Sequence, residues 1–176
     1  MSSTSNEFEQ KGSAKILNSV RIVLLAIWFG AALFFSVVVA PAAFGVLRSY
    51  GFANASEIAG GIVTRSLSVV NVAGFVIGLL LLLTLFVGRP LGRWGLIAET
   101  VCLALIVMTT GVGHWLIAAR MRALRVSMML PIDQIAADDA RRIAFNNLHG
   151  YSVNALGLAM IAALVALVLM GRSLRQ

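Results

Sequence analysis

Apolar residues run along this chain in four long blocks, divided by short polar segments. No Lys, Arg, Asp or Glu occurs in the 26 residues between Arg21 and Arg48, the 23 between Arg65 and Arg89, the 20 between Glu99 and Arg120, or the 29 between Arg142 and Arg172. A helix needs about 20 apolar residues to cross a bilayer. Each block is long enough, and backbone groups in lipid must be satisfied within the segment, which selects helices. The pattern predicts an all-α membrane protein, an antiparallel four-helix transmembrane bundle, over residues 16–171. The spans are expected at about 20–47, 66–88, 94–118 and 150–171. Residues 1–15, rich in Ser, Glu and Lys, read as a disordered tail, and 172–176 as a short C-terminal tail.

Turn chemistry sets the connections. Pro41 lacks a backbone donor and is expected to kink the first helix or end its regular part. Ser56-Glu57 is a helix start, so the second helix begins before the membrane and runs to Gly88. The run from Gly88 through Arg89, Pro90 and Gly92 to Arg93 forces a tight hairpin. The third helix runs from about Arg93 to Arg125. It projects beyond the bilayer, because Arg120, Arg122 and Arg125 are costly in hydrocarbon. Val126 to Arg142 is the longest loop, with Met128, Met129, Leu130 and Pro131 in a surface-lying turn. Asp133 is expected to cap the last helix and Asp138 to pair with Arg142 one turn on. Gly74 and Gly78 give a small-xxx-small face through which another helix, or a second copy of the chain, can approach.

Only 12% of residues are charged, yet the net charge is +7. The cations stand singly or in short groups at block ends, as anchors facing headgroups. They make the lipid bilayer the expected partner and exclude nucleic acid. Ala40-Pro41-Ala42 has the small-x-small form of a signal cleavage site, but the apolar block before it is longer than a signal h-region, so the segment reads as a retained span. Lys and Arg divide equally between the two sides of a four-span protein, seven on each. The N-terminal lysines and the compact turn with Arg89 and Arg93 favour a cell inner-membrane protein with cytoplasmic termini. Cys102 is the only cysteine and lies within a block, so no internal disulfide forms.

Polar side chains within the blocks are the functional candidates, because they are expensive there. Glu99 and His114 share a broad face of the third helix, but at about 1.5 Å rise per residue they stand about 22 Å apart and mark two depths. Glu99 reads most simply as an interfacial carboxylate paired with Arg93 or Arg89. Asn71, His114, His149, Ser152 and Asn154, with Ser36 and the kink at Pro41, fall in one layer toward the long loops. That layer supports several chemistries. His149 and His114 can ligate haem iron or copper. A cavity there can bind a small substrate, with Arg120, Arg122 and Arg125 attracting anions. The histidines can relay protons. The plainest reading has these groups satisfying one another and the kinked backbone. Met121, Met128 and Met129 near His149 add a soft-ligand variant of the copper reading. No single layer holds a paired-carboxylate site, and Cys-x-x-Cys, a phosphate-cradling Gly loop and His-x-x-x-His are missing from the sequence. The balance is against an enzyme and for a small-ligand-binding, transport or stress component without a cofactor.

The string WFGAALFFSVVVAPAAFGVL (28–47), the opening FNNLHGYSVNALGL of the last helix (145–158) and Arg-Met-x-x-Leu-Arg (120–125) together resemble the bacterial domain-of-unknown-function family 4149. That family is similar to eukaryotic transmembrane protein 205. The resemblance implies a four-helix integral membrane protein. A more distant similarity, to copper-resistance membrane proteins and a membrane haem-pathway oxidase, implies His149 and then His114 as ligands. The extra helices and histidines of such an oxidase are missing from this sequence.

Overall fold

The structure, a computed structural model, describes residues 2–52, 54–85 and 92–173. Helix α1 covers Ser2–Phe34 and α2 Ala40–Ser49, joined by a π-helical turn at Phe35–Val39. Helix α3 covers Ala55–Leu83. Helix α4, Arg93–Gly111, continues through a second π turn, Val112–Ile117, into α5, Ala118–Met128. A 3-10 turn at Ile132–Gln134 leads to α6, Ala140–Ser173. Among the described residues, four helices are long and apolar enough to cross a membrane: Lys15–Ser49, Ala55–Leu83, Arg93–Met128 and Ala140–Ser173. The fold is the expected all-helical four-span bundle.

The first and third spans each bury one narrow stripe whose members recur at alternating steps of three and four residues. On the first span the stripe is Asn18, Arg21, Leu25, Trp28, Ala32 and Phe35; on the third it is Glu99, Leu103, Ile106, Thr110, Gly113 and Ile117. The repeat averages 3.5 residues, the period that keeps a seam facing its neighbours as helices cross at a small angle. The fourth span lays down Ala159, Ala162, Ala163 and Ala166, all buried. Lipid gives helices no hydrophobic reason to associate, so close approach over small side chains supplies the packing. This alanine face and α4 form the closest-packed pair of the bundle. Helix α1 packs against α3 and α6, and α3 against α4, which closes the ring.

Gly74 and Gly78 are used inside this ring. A Cβ on Gly74 would stand 2.6 Å from the Trp28 ring, and one on Gly78 2.8 Å from Val107 Cγ2. Trp28 Nε1 donates to the Val70 carbonyl at 2.9 Å, which fixes its ring over Gly74. The small-xxx-small face is thus occupied by the chain's own first and third spans, and is not free for a second copy.

Several local expectations change. The backbone of α1 is helical from Ser2, and no proline interrupts 2–34. The regular α-helix of the first span ends in the π turn just before Pro41, one of the two expected effects of that proline. Just before it, the Ala40 N–H donates to Phe35 O, five residues back, and this π turn absorbs the missing donor of an exposed proline. The last helix is capped by Asp139, not Asp133: the Arg141 N–H donates to Asp139 Oδ1 at 2.7 Å. The expected Asp138–Arg142 pair is replaced by Asp139–Arg141, at 2.7 Å. Hydrogen bonds from the Arg141 side chain hold the Asp139 carboxyl down at about 2. Arg142 instead donates to the Ile135 carbonyl. The tight turn at Gly88, Arg89 and Pro90, and the end of the C-terminal tail, lie outside the described residues.

Candidate functional site

Polar groups gather at two depths. At the short-connection end, the Arg21 guanidinium stands 3.0 Å from Glu99 Oε1. Both side chains are buried, at 2% and 0% exposure. Arg21 also donates to the carbonyls of Thr84 and Leu81, at 2.7 and 2.9 Å, so it caps the C-terminal end of α3. Asn18, one turn earlier, donates to the Met170 carbonyl at 3.4 Å. The cluster ties all four spans together. Among the described residues, Glu99 has its ion pair with Arg21. Arg93 is exposed and Arg89 lies outside the described residues. An unpaired carboxylate at zero exposure would be far more costly than one matched by a guanidinium on the facing stripe. Arg21 escapes a reading based on block edges. The stripe Asn18-Arg21-Leu25-Trp28, with its three-and-four spacing, is the signal that places it inward.

At the long-loop end the bundle encloses a cavity of about 800 Å³. Its deeper wall is made by Asn71, Ser152 and the second π turn. Asn71 is buried, and packs so closely on the backbone of the π turn that a Cβ on Gly113 would stand 3.1 Å from its amide nitrogen. His114 lies within the π turn, with Nδ1 3.3 Å from the Ser68 hydroxyl and its ring edge-on to Trp115. Inserting one residue into the helical ladder turns Gly113 and His114 toward α3, a use for which π turns recur at functional sites. His149 also lines the cavity but is exposed at its rim.

Of the expected layer, the structure brings Asn71, His114, His149 and Ser152 to this one cavity. Ser36 does not line it and donates instead to the Ala32 carbonyl of its own helix. Pro41 and Asn154 are exposed and lie outside the wall; Asn154 falls two residues beyond Ser152, on the opposite side of α6. Arg122 and Arg125 face the cavity, while Arg120 is exposed outside it.

The charge of the wall is its main chemical fact. Arg48, Arg65, Arg122, Arg125 and Arg142 line it, against Glu57 and Asp133. Glu57 is taken: it pairs with Arg125 at 2.7 Å, and Arg125 lies over the Phe145 ring at 5.1 Å. Among the described residues, Arg48, Arg65, Arg122 and Arg142 make no ion pair. Guanidinium groups present forked donors suited to phosphate and carboxylate. The same charge opposes a metal cation. His114, His149 and Met121 line the cavity, but no group of three His, Cys, Asp or Glu able to hold a metal occurs among the described residues. Two imidazoles and a thioether amid excess guanidinium do not fit a copper or haem-iron centre, which needs converging donors in a field that tolerates the cation.

No curated protein and no solved structure matches the chain. One family pattern does, described as a domain of unknown function (DUF4149), over residues 23–129. The match runs from the first span through α5, so it takes in Asn71, His114 and the arginines of α5, and stops before Arg142 and His149. Covering well over half of a chain folded into four apolar, membrane-length helices, it makes this protein a member of the DUF4149 family.

Proposed function

We propose that this multi-pass membrane protein is a non-enzymatic component that binds a small anionic ligand in the long-loop cavity, in the service of transport or a stress response. One observation carries the reading: four arginines without carboxylate partners surround a single cavity that also contains neutral donors. Arg48, Arg65 and Arg122 are exposed at the rim of the cavity and Arg142 is half-buried, so their forked donors are accessible to an entering anion. Asn71, Ser152 and His114 supply directional hydrogen bonds at its floor. The reading sets the protein in a bacterial inner membrane with cytoplasmic termini, supported by Lys11 and Lys15 near the N-terminus; cysteine labelling at Ser49 from either side checks it.

The test titrates inorganic phosphate and benzoate against the purified full-length protein in detergent, following the thermal unfolding midpoint. Saturable stabilisation by either anion, weakened in Arg122→Ala and at high salt, is expected. Stabilisation by neither, or equal stabilisation of the variant, overturns the reading. The haem or copper alternative through His149 and His114 is checked on the same sample by its absorption spectrum and metal content.

A further inference from the structure

The ring of spans is not closed along its whole length. At the short-connection end α1 packs on both α3 and α6. Past the π turn at Phe35–Val39, α2 packs on α3 and makes no comparable contact with α6. The first and fourth spans therefore part toward the long loops. Both borders of that parting also contribute to the cavity wall: Phe44 and Arg48 from α2, Phe145 and His149 from α6. A cavity bordered by two helices that make no extensive contact with each other has its side opening between them, and in a bilayer that side faces lipid.

The wall is built in two tiers. Arg48 lies in the last turn of α2, where the span leaves the apolar layer, with its guanidinium 5.9 Å from the Phe44 ring centroid. Phe44, Val63 and Leu67 supply an apolar tier. A bare inorganic anion would use the arginines and leave this tier wet. A volume of about 800 Å³ falls within the range for ligands of many heavy atoms. We infer that the cavity takes the phosphate headgroup of an anionic lipid, admitted sideways from the bilayer between α2 and α6, with the glycerol and upper chains against the Phe44 tier. This rests on the cavity being an anion site, as proposed above, and names the class of anion.

Native mass spectrometry of the detergent-purified full chain tests it. The probes are phosphatidylglycerol, phosphatidylcholine and glycerol 1-phosphate, the last carrying the headgroup chemistry without chains. One saturable phosphatidylglycerol adduct is expected, with phosphatidylcholine and glycerol 1-phosphate each weaker by about tenfold or more. Arg48→Ala with Arg122→Ala removes two charge-assisted contacts to the phosphate and is expected to weaken the adduct more than tenfold. Arg48→Lys with Arg122→Lys keeps the charge and is expected to keep the preference for the anionic lipid. Should the alanine pair fail to fold, the single change Arg48→Gln at an exposed position carries the same comparison.

Equal binding of the two lipids means an unselective lipid coat, and overturns the inference. Glycerol 1-phosphate binding as tightly as phosphatidylglycerol, and dependent on the arginines, overturns the lipid source while leaving the anion site standing. If no phosphate compound binds saturably, the lipid proposal falls; if benzoate and inorganic phosphate also fail, the anion reading falls with it.

Discussion

The Arg21 guanidinium and the Glu99 carboxylate, 78 positions apart in the chain, meet at 3.0 Å in the interior of the bundle. Removing one member takes an ion-pair partner from the other, a buried charge, and is destabilising. Glu99→Leu alone is expected to lower the unfolding midpoint sharply, and Arg21→Met alone to lower it further, because the Leu81 and Thr84 carbonyls lose their donor as well. The double variant is expected to lose less than the sum of the two. A double-mutant cycle in detergent reads the coupling, expected at about 1 kcal/mol or more; strictly additive losses would contradict the pairing.

Gly74→Ala is expected to destabilise by about 1–3 kcal/mol, since the new methyl meets a Trp28 ring that its hydrogen bond to Val70 holds in place. Gly150→Ala, in open space on α6, is expected to be neutral or to stabilise by up to about 1 kcal/mol through helix propensity. Unfolding midpoints of the two variants check the contrast, and equal effects would count against the Trp28 contact.

The loop before α6 has its own pH signature. Hydrogen bonding to Arg141 depresses the Asp139 carboxyl to about 2 in the folded protein, below the ordinary carboxylate value of about 3.9. A depressed folded value contributes stability that is fully present above the unfolded value and is lost as pH falls through the folded one. The gap in unfolding midpoint between the native chain and Asp139→Ala is thus expected to be constant above about pH 5 and to shrink toward pH 2. A gap that does not change with pH would show that the carboxylate charge has no part in the cap.

Glu57 competes with any anion for Arg125, through the 2.7 Å pair between them. On the anion reading, Glu57→Gln frees that guanidinium and is expected to tighten phosphate binding by a factor of about 5, the scale of a half-exposed ion pair. Titration calorimetry of the variant against the native protein reads this, and weaker binding would place Glu57 among the ligand's own contacts.

Much of the candidate site was legible in the sequence. Asn71, His114, His149 and Ser152 were predicted to share one depth from their distances to the block ends, and they do line one cavity. Ser36 and Asn154 lie at a suitable depth too, yet stand outside the wall. Depth follows from counting residues along a helix; whether a side chain faces inward depends on how that helix is rotated against its neighbours. Glu99 shows the same limit. Its described partner sits on another span, and Arg21 passes for a flanking anchor until its place on the buried three-and-four stripe is noticed.

By itself the sequence determined four membrane-length helices and their up-and-down order. Transfer of a side chain into an apolar medium is a property of each residue, summed over about 20 neighbours, and needs no knowledge of the rest of the fold. Only the tertiary structure decided that Arg21 belongs to Glu99, that Gly74 serves Trp28 rather than a second copy, and that four unpaired arginines from separate elements face one cavity. Those relations join residues far apart in the chain, and they are fixed by the rotation, crossing and close approach of whole helices.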